Sequence, residues 1–263
     1  MNFTELRGVL IDMDGVLWRG SEPLPGLVAF FEWLRARNLE YGLVTNNSTK
    51  TPADYAAKLA QLGVRDVPDA RIVTSSSTTA HYLRAHYPPG TPVHVLGMDG
   101  LRRLVQAAGM TLADEGARAV VIGIDFELTY DKLKRATFIL RAGADYIATN
   151  ADATFPLPDG LAPGAGSLVA ALSTASGRQP LVMGKPGAPM FEAALAALGT
   201  PPAQTVMIGD RLDTDIAGAA QNGLRSILVL TGVATRADLA ASPARPDAVF
   251  DDLPALMRAW DGR

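Results

Sequence analysis

The stretch Val9-Leu10-Ile11-Asp12-Met13-Asp14-Gly15 joins a short apolar run to two carboxylates and a glycine. An apolar run that is continuous instead of alternating fits a strand buried on both faces of a parallel sheet. Two like charges at the end of such a strand are costly unless a cation or hydrogen bonds compensate them. A solvated Asp-Gly turn is the plainer alternative.

The same arrangement recurs along the chain. Tyr41-Gly42-Leu43-Val44 runs into Thr45-Asn46-Asn47-Ser48. Small hydroxyl and amide residues there, with their backbone N–H groups, can donate to phosphate oxygens. They can equally cap the helix expected to begin near Pro52. Thr205-Val206-Met207-Ile208 leads into Gly209-Asp210-Arg211-Leu212-Asp213-Thr214-Asp215. Three aspartates without His or Cys favour a hard cation such as Mg²⁺, although an acidic helix start gives the same composition. Of the five lysines, only Lys185 in Met183-Gly184-Lys185-Pro186 lies in an apolar setting flanked by Gly and Pro. An ammonium group there can hold a phosphate or damp carboxylate repulsion; a loop lysine is the alternative.

Further apolar runs at 119–122, 146–148 and 226–230 alternate with helical patterns at 26–37, 52–62, 76–86, 130–141, 165–175, 187–198 and 213–222. Strand and helix in alternation predict an α/β fold with a parallel sheet. Ligand sites in open α/β sheets lie beyond the carboxyl ends of the strands. Asp12, Thr45 and Asp210 are therefore expected to meet at one sheet edge.

Composition narrows the chemistry. The chain has 263 residues, no cysteine and three histidines, His81, His86 and His94. Thiolate nucleophiles, disulfide scaffolds and Cys-ligated metals are excluded, and no His-Glu-x-x-His is present. Carboxylates, hydroxyls, amides and Lys or Arg must carry any reaction. The formal net charge is −3 with no basic run, so nucleic-acid binding has no support. No apolar run reaches the roughly 18 residues of a membrane helix. Acidic residues stand where a signal peptide needs an apolar stretch, so a cytoplasmic location is expected.

Asp12-x-Asp14-Gly15-Val16, Thr45-Asn46, Lys185 and Gly209-Asp210 with Asp215, in this order, resemble the haloacid dehalogenase-like hydrolase superfamily. Pro23-Leu24-Pro25-Gly26, Thr149-Asn150-Ala151-Asp152, Pro163-Gly164-Ala165-Gly166-Ser167, Gly184-Lys185-Pro186 and Leu230-Thr231-Gly232-Val233 extend the resemblance over nearly the whole chain. The pattern looks like the NagD/4-nitrophenyl phosphatase subfamily. The resemblance implies a Rossmann-like core and a Mg²⁺-dependent phosphomonoester hydrolase acting on a small phosphorylated metabolite. Asp12 would be the nucleophile, forming an aspartyl-phosphate, and Asp14 the general acid and base. Thr45, Asn46 and Lys185 would hold the phosphoryl oxygens. Asp12, the Asp14 backbone carbonyl and Asp210 would ligate the metal, with Asp215 supporting them, and Asp213 would face solvent.

Spacing bears on the domain plan. Only 33 residues separate Asp12 from Thr45, room for a turn, a helix and a strand, whereas 140 separate Thr45 from Lys185. The expected division is a discontinuous core at 1–85 and 181–263 and an inserted smaller α/β domain at 86–180. The resemblance implies that the insert is a C2-type cap, with Phe155 and Pro156 in a loop that selects the substrate. It also leaves a homodimer open. Three rival functions stand beside the phosphatase. A phospho-Asp signalling module uses the same residue types but is about half this length, and a non-catalytic binding protein of the same fold has no reason to keep Asp12, Asp14, Lys185 and Asp210. A phosphomutase would carry its insert between Asp12 and Thr45, where it does not fit.

Overall fold

The computed structural model describes residues 3–157 and 160–262. The chain folds as two compact units. One comprises Met1–Thr45, Ala53–Val73 and Lys185–Arg263, the other Asn46–Pro52 and Thr74–Gly184.

The first unit is built on a six-stranded sheet in the order Ala248–Phe250, Arg225–Val229, Thr205–Gly209, Gly8–Asp12, Glu40–Thr45 and Ile72–Thr74. The pairings from Ala248–Phe250 through to Glu40–Thr45 are parallel. Strand Gly8–Asp12 is central. The chain leaves it toward Glu40–Thr45 on one side and later returns to Thr205–Gly209 on the other, which makes a topological switch point at this strand.

The continuous apolar runs have a direct structural cause. Side chains alternate across a strand, and here both faces are covered. Val9 and Ile11 join Val206, Ile208, Phe30, Phe31 and Leu34 in one buried cluster. Leu10 and Met207 join Met190, Phe191, Ala194 and Leu198 in another. Helix Pro52–Gln61 begins on its proline, and helix Ala188–Leu198 carries Pro189 in its first turn and ends on left-handed Gly199. Both prolines sit where the missing N–H costs nothing.

The second unit has its own five-stranded sheet, ordered Leu181–Val182, Asp145–Ala148, Ala119–Ile122, Pro92–Leu96 and Thr111–Leu112. Every pairing in it is parallel. Val120 and Ile122 pack with Ala136, Leu140 and Leu172; Ala119 and Val121 pack with Leu83, Leu101 and Val105. A two-stranded antiparallel ribbon, Thr154–Leu157 with Gly160–Pro163, belongs to the same unit.

The chain passes between the units at 45/46, 52/53, 73/74 and 184/185, beside the 85/86 and 180/181 expected from the sequence. The helix Ser75–His86 accounts for most of the difference. Its Leu83 lies in the second unit's core. Its first-turn hydroxyls, Ser75 Oγ and Ser76 Oγ, donate to the backbone oxygens of Asn46 and Ser48 at 2.7 and 2.8 Å. These bonds bind the short piece Asn46–Pro52 into the same unit. Among the described residues, no helix is long and apolar enough to cross a membrane.

Candidate active site

At the carboxyl end of the first unit's central strands, Asp12 closes Gly8–Asp12 and Asp210 follows Thr205–Gly209 directly. Lys185 and Asp215 reach the same point. All four are buried. Lys185 Nζ forms a short ion pair with Asp12 Oδ1 and lies 2.7 Å from Asp215 Oδ1. Asp215 Oδ2 accepts the backbone N–H groups of Asp210 and Arg211 at 3.2 and 3.0 Å. Asp210 Oδ2 accepts the Val233 N–H at 2.7 Å, and its backbone oxygen accepts the Ala234 N–H. The loop carrying Gly232 and Val233 therefore fixes the Asp210 carboxylate.

Close approach explains Gly232. A Cβ there would overlap the Asp210 carboxylate, so only glycine lets this loop pass. Gly15, with φ +90°, turns the chain after Asp14 and also lies against Asp210.

The electrostatics follow from burial. Burial, reinforced by Asp215 and Asp210, holds the Asp12 carboxyl well above the usual carboxylate range, against the opposing pull of Lys185. Burial and then Asp215 push Asp210 up to about 7. Burial alone would lower Lys185, but Asp12 and Asp215 outweigh it and keep the ammonium charged. Three buried carboxylates against one lysine leave an excess of negative charge. Oxygen atoms of Asp12, Asp210 and Asp215 lie within 4.8 Å of one another. Asp210 Oδ1 is buried with no hydrogen-bond partner. An orphaned carboxylate oxygen among hard anionic donors fits a small divalent cation.

The other expected site residues divide. Asp14 is half-buried, and its Oδ1 accepts the indole N–H of Trp18 at 2.8 Å. Thr45 is buried at the end of its strand. Asn46, next in the chain, belongs to the second unit; its side-chain nitrogen donates to Asp152 Oδ1 at 2.9 Å, and its backbone oxygen accepts Asn150 Nδ2. Asp213 is exposed and paired with Arg211. Phe155 is half-buried, its ring edge-on to Phe126 with centroids 5.7 Å apart. Pro156 lies in the same strand opposite Leu161, and its side chain falls outside the described residues. His81 and His86 are exposed and His94 is buried in the second unit's sheet.

Sequence reasoning missed Trp18 and Tyr55. Trp18 reads as one more apolar residue after Gly15, and Tyr55 as one more position on a helix. Nothing in the spacing signals that the indole reaches back four residues to a carboxylate.

A parallel α/β sheet with a buried Asp–Lys–Asp cluster at its switch point is suited to holding a phosphate ester beside a hard cation. The family model described as haloacid dehalogenase-like hydrolase matches residues 9–111, and a second, described as HAD-like, matches 182–256. The dihydroxyacetone phosphatase of Corynebacterium glutamicum is 38% identical over 96% of this chain and 91% of its own. The crystal structure of a 4-nitrophenylphosphatase from Thermotoga maritima superposes with a TM-score of 0.94 at 36% identity, covering 99% of both chains. A glycerol phosphate phosphatase from Mycobacterium tuberculosis, solved in complex with magnesium, gives 0.87 at 37% identity, over 96% of this chain and 76% of that one. The chain belongs to the haloacid dehalogenase-like hydrolases, in their NagD/4-nitrophenyl phosphatase group, and it is a phosphatase.

Proposed function

We propose that the protein is a Mg²⁺-dependent phosphomonoester hydrolase that works through an aspartyl-phosphate on Asp12. The observation that carries this is the buried set of Asp12, Asp210 and Asp215 around Lys185 at the switch point. The Asp12 carboxylate attacks phosphorus, and the bond to the ester oxygen breaks. Asp14 gives its proton to that leaving oxygen. In the second half, Asp14 takes a proton from the water that attacks the phosphorylated Asp12, and inorganic phosphate leaves.

Lys185 and the Thr45 hydroxyl hold phosphoryl oxygens, and Lys185 reduces the repulsion between an anionic nucleophile and an anionic ester. Asn46 is the weaker candidate for this role, because its side-chain nitrogen is engaged with Asp152. Asp12, Asp210 and the Asp14 backbone carbonyl would hold the metal, with Asp215 anchoring the loop behind it. Bound there, Mg²⁺ would neutralise charge on the transferring group. The second unit is the C2-type cap of this reading, with Phe155 beside Phe126 as an apolar contact for the substrate. A cytoplasmic setting goes with it.

Small phosphorylated metabolites are the substrate class. Relatives named for dihydroxyacetone, glycerol phosphate and 4-nitrophenyl substrates support that breadth. The test combines three arms on a panel of such esters. EDTA is expected to stop turnover and added Mg²⁺ to restore it. Asp12→Asn is expected to lose activity by at least about 10³-fold while remaining folded by circular dichroism. Turnover that survives EDTA, or a fully active Asp12→Asn, overturns the mechanism.

A further inference from the structure

The segment from Asp12 to Trp18 is a tight loop. The Gly15 N–H donates to the Trp18 backbone oxygen and the Leu17 N–H to that of Met13, both at 2.8 Å. The loop buries the Trp18 side chain completely. From there the indole Nε1–H reaches back to Asp14 Oδ1 at 2.8 Å.

The ring has little freedom. Helix Pro52–Gln61 holds it from two positions one turn apart. The Tyr55 ring stacks on it at 6.2 Å, 12° from parallel. The Lys58 ammonium sits 3.9 Å from the indole centroid while donating to the Gly20 backbone oxygen at 2.8 Å. A cation over an indole face is attracted to the ring's negative quadrupole. Burial, stacking and this cation together fix the direction in which the N–H points.

An indole N–H donates and never accepts. Asp14 Oδ1 is therefore an acceptor in this contact, and a proton on a neutral Asp14 carboxyl belongs on Oδ2. We propose that Trp18 is a positioning residue for Asp14: by occupying Oδ1 it assigns the transferable proton to Oδ2 and fixes the rotation of the carboxyl group. This rests on the acid role given to Asp14 above. In the step concerned, the phosphorus–oxygen bond of the ester breaks, its electron pair stays on the leaving oxygen, and the Oδ2–H bond gives that oxygen its proton.

The consequence is a dependence on the leaving group. 4-Nitrophenolate departs with little need of a proton, whereas the alkoxide of glycerol phosphate needs one. The quantity to measure is kcat/KM for glycerol phosphate divided by kcat/KM for 4-nitrophenyl phosphate, in the Mg²⁺-loaded enzyme. Because kcat/KM reports steps up to loss of the leaving group, the later hydrolysis does not mask the effect. Trp18→Phe, which keeps an aromatic ring and removes the N–H, is expected to lower this ratio about tenfold or more.

Asp14→Asn must lower the ratio as well, and adding Trp18→Phe to it should lower the ratio no further. If Trp18→Phe reduces both substrates equally while Asp14→Asn changes the ratio, Trp18 serves only packing and the positioning role is overturned. If Asp14→Asn itself leaves the ratio unchanged, the acid role fails first and the Trp18 role falls with it. Should Trp18→Phe not fold, the benzothiophene isostere of tryptophan, which keeps the ring area without a donor, carries the same measurement.

Discussion

Lys185 shows how much a single side chain can balance. It is 2% exposed and faces two carboxylates, and Asp210 lies close enough to add a third to the same field. Removing one member of a buried ionic group usually costs about 3–5 kcal/mol, because the remaining charges stay buried without a counter-ion. Lys185→Met is therefore expected to lower unfolding free energy in EDTA at neutral pH by about that amount. The deficit should shrink on acidification. Without the ammonium, the folded state holds protons on carboxylates that ionise in the unfolded chain, so folding is favoured as pH falls. Denaturant melts at pH 5 and pH 7.5 check both parts, and a loss independent of pH contradicts this account. Lys185 could be singled out in the sequence because its neighbours Met183, Gly184 and Pro186 give no polar surface for a lysine. Trp18 could not, since an apolar residue in a loop announces neither its burial nor its donor.

At the scale of elements, the buried strands were readable and so was the helix Ser75–His86, expected at 76–86, but the unit to which that helix belongs was not. Val9-Leu10-Ile11 and Ala119-Val120-Val121-Ile122 reveal buried parallel strands because each feeds two clusters from alternate residues. Helix Ser75–His86 opens Ser-Ser-Ser-Thr-Thr and lacks a clear apolar stripe. Its hydroxyls bond to the carbonyls of Asn46 and Ser48, contacts distant in sequence, and these decide the unit to which it belongs. Strand Pro92–Leu96 offers a prediction of its own. His94 is buried there, its Nδ1 3.1 Å from the Ala113 carbonyl oxygen and its Nε2 without a partner. Burial lowers its pKa, opposed by the Ala113 carbonyl and Asp114 and assisted by Arg135 and Arg102. The unfolded chain then binds the proton first. Stability conferred by a neutral His94 is intact above about pH 6.5, the unfolded value, and is lost as pH falls toward the lower folded value. Hydrogen exchange of the strands Pro92–Leu96 and Ala119–Ile122 between pH 5 and 7.5 should show weakening on the acid side. His94→Leu is expected to flatten that limb, and an unchanged limb assigns it to other groups.

For the whole molecule, the proposed cation site in the acidic cluster predicts that folding is coupled to Mg²⁺. A ligand that binds only the folded state stabilises it by about 2.7 kcal/mol at 100 times its dissociation constant. Mg²⁺ is expected to raise the melting temperature, and Asp210→Asn to abolish most of that rise while His94→Leu leaves it in place. The pH dependence has a definite sign. With Asp210 raised to about 7, the metal-free fold loses stability as pH climbs from the usual carboxylate range toward neutrality. Cation binding requires the deprotonated form and releases protons. The Mg²⁺-dependent rise should therefore be larger at pH 8 than at pH 6, as read by calorimetry; an equal rise at both points to a site elsewhere.

The order of the strands also dictates a sequence of events during synthesis. Gly8 pairs with Thr205 in the central sheet, so the first strand made waits for nearly two hundred residues before one of its two neighbours exists. Every strand of the second sheet lies between Pro92 and Val182 and has left the ribosome by then. Domains generally fold as units while the chain emerges, and long-range strand pairing is slow. The inserted unit is thus positioned to fold first. Until Thr205–Gly209 emerges, the apolar edge of Gly8–Asp12 is a template for wrong partners, and the nascent chain depends on the helices already made to shield it.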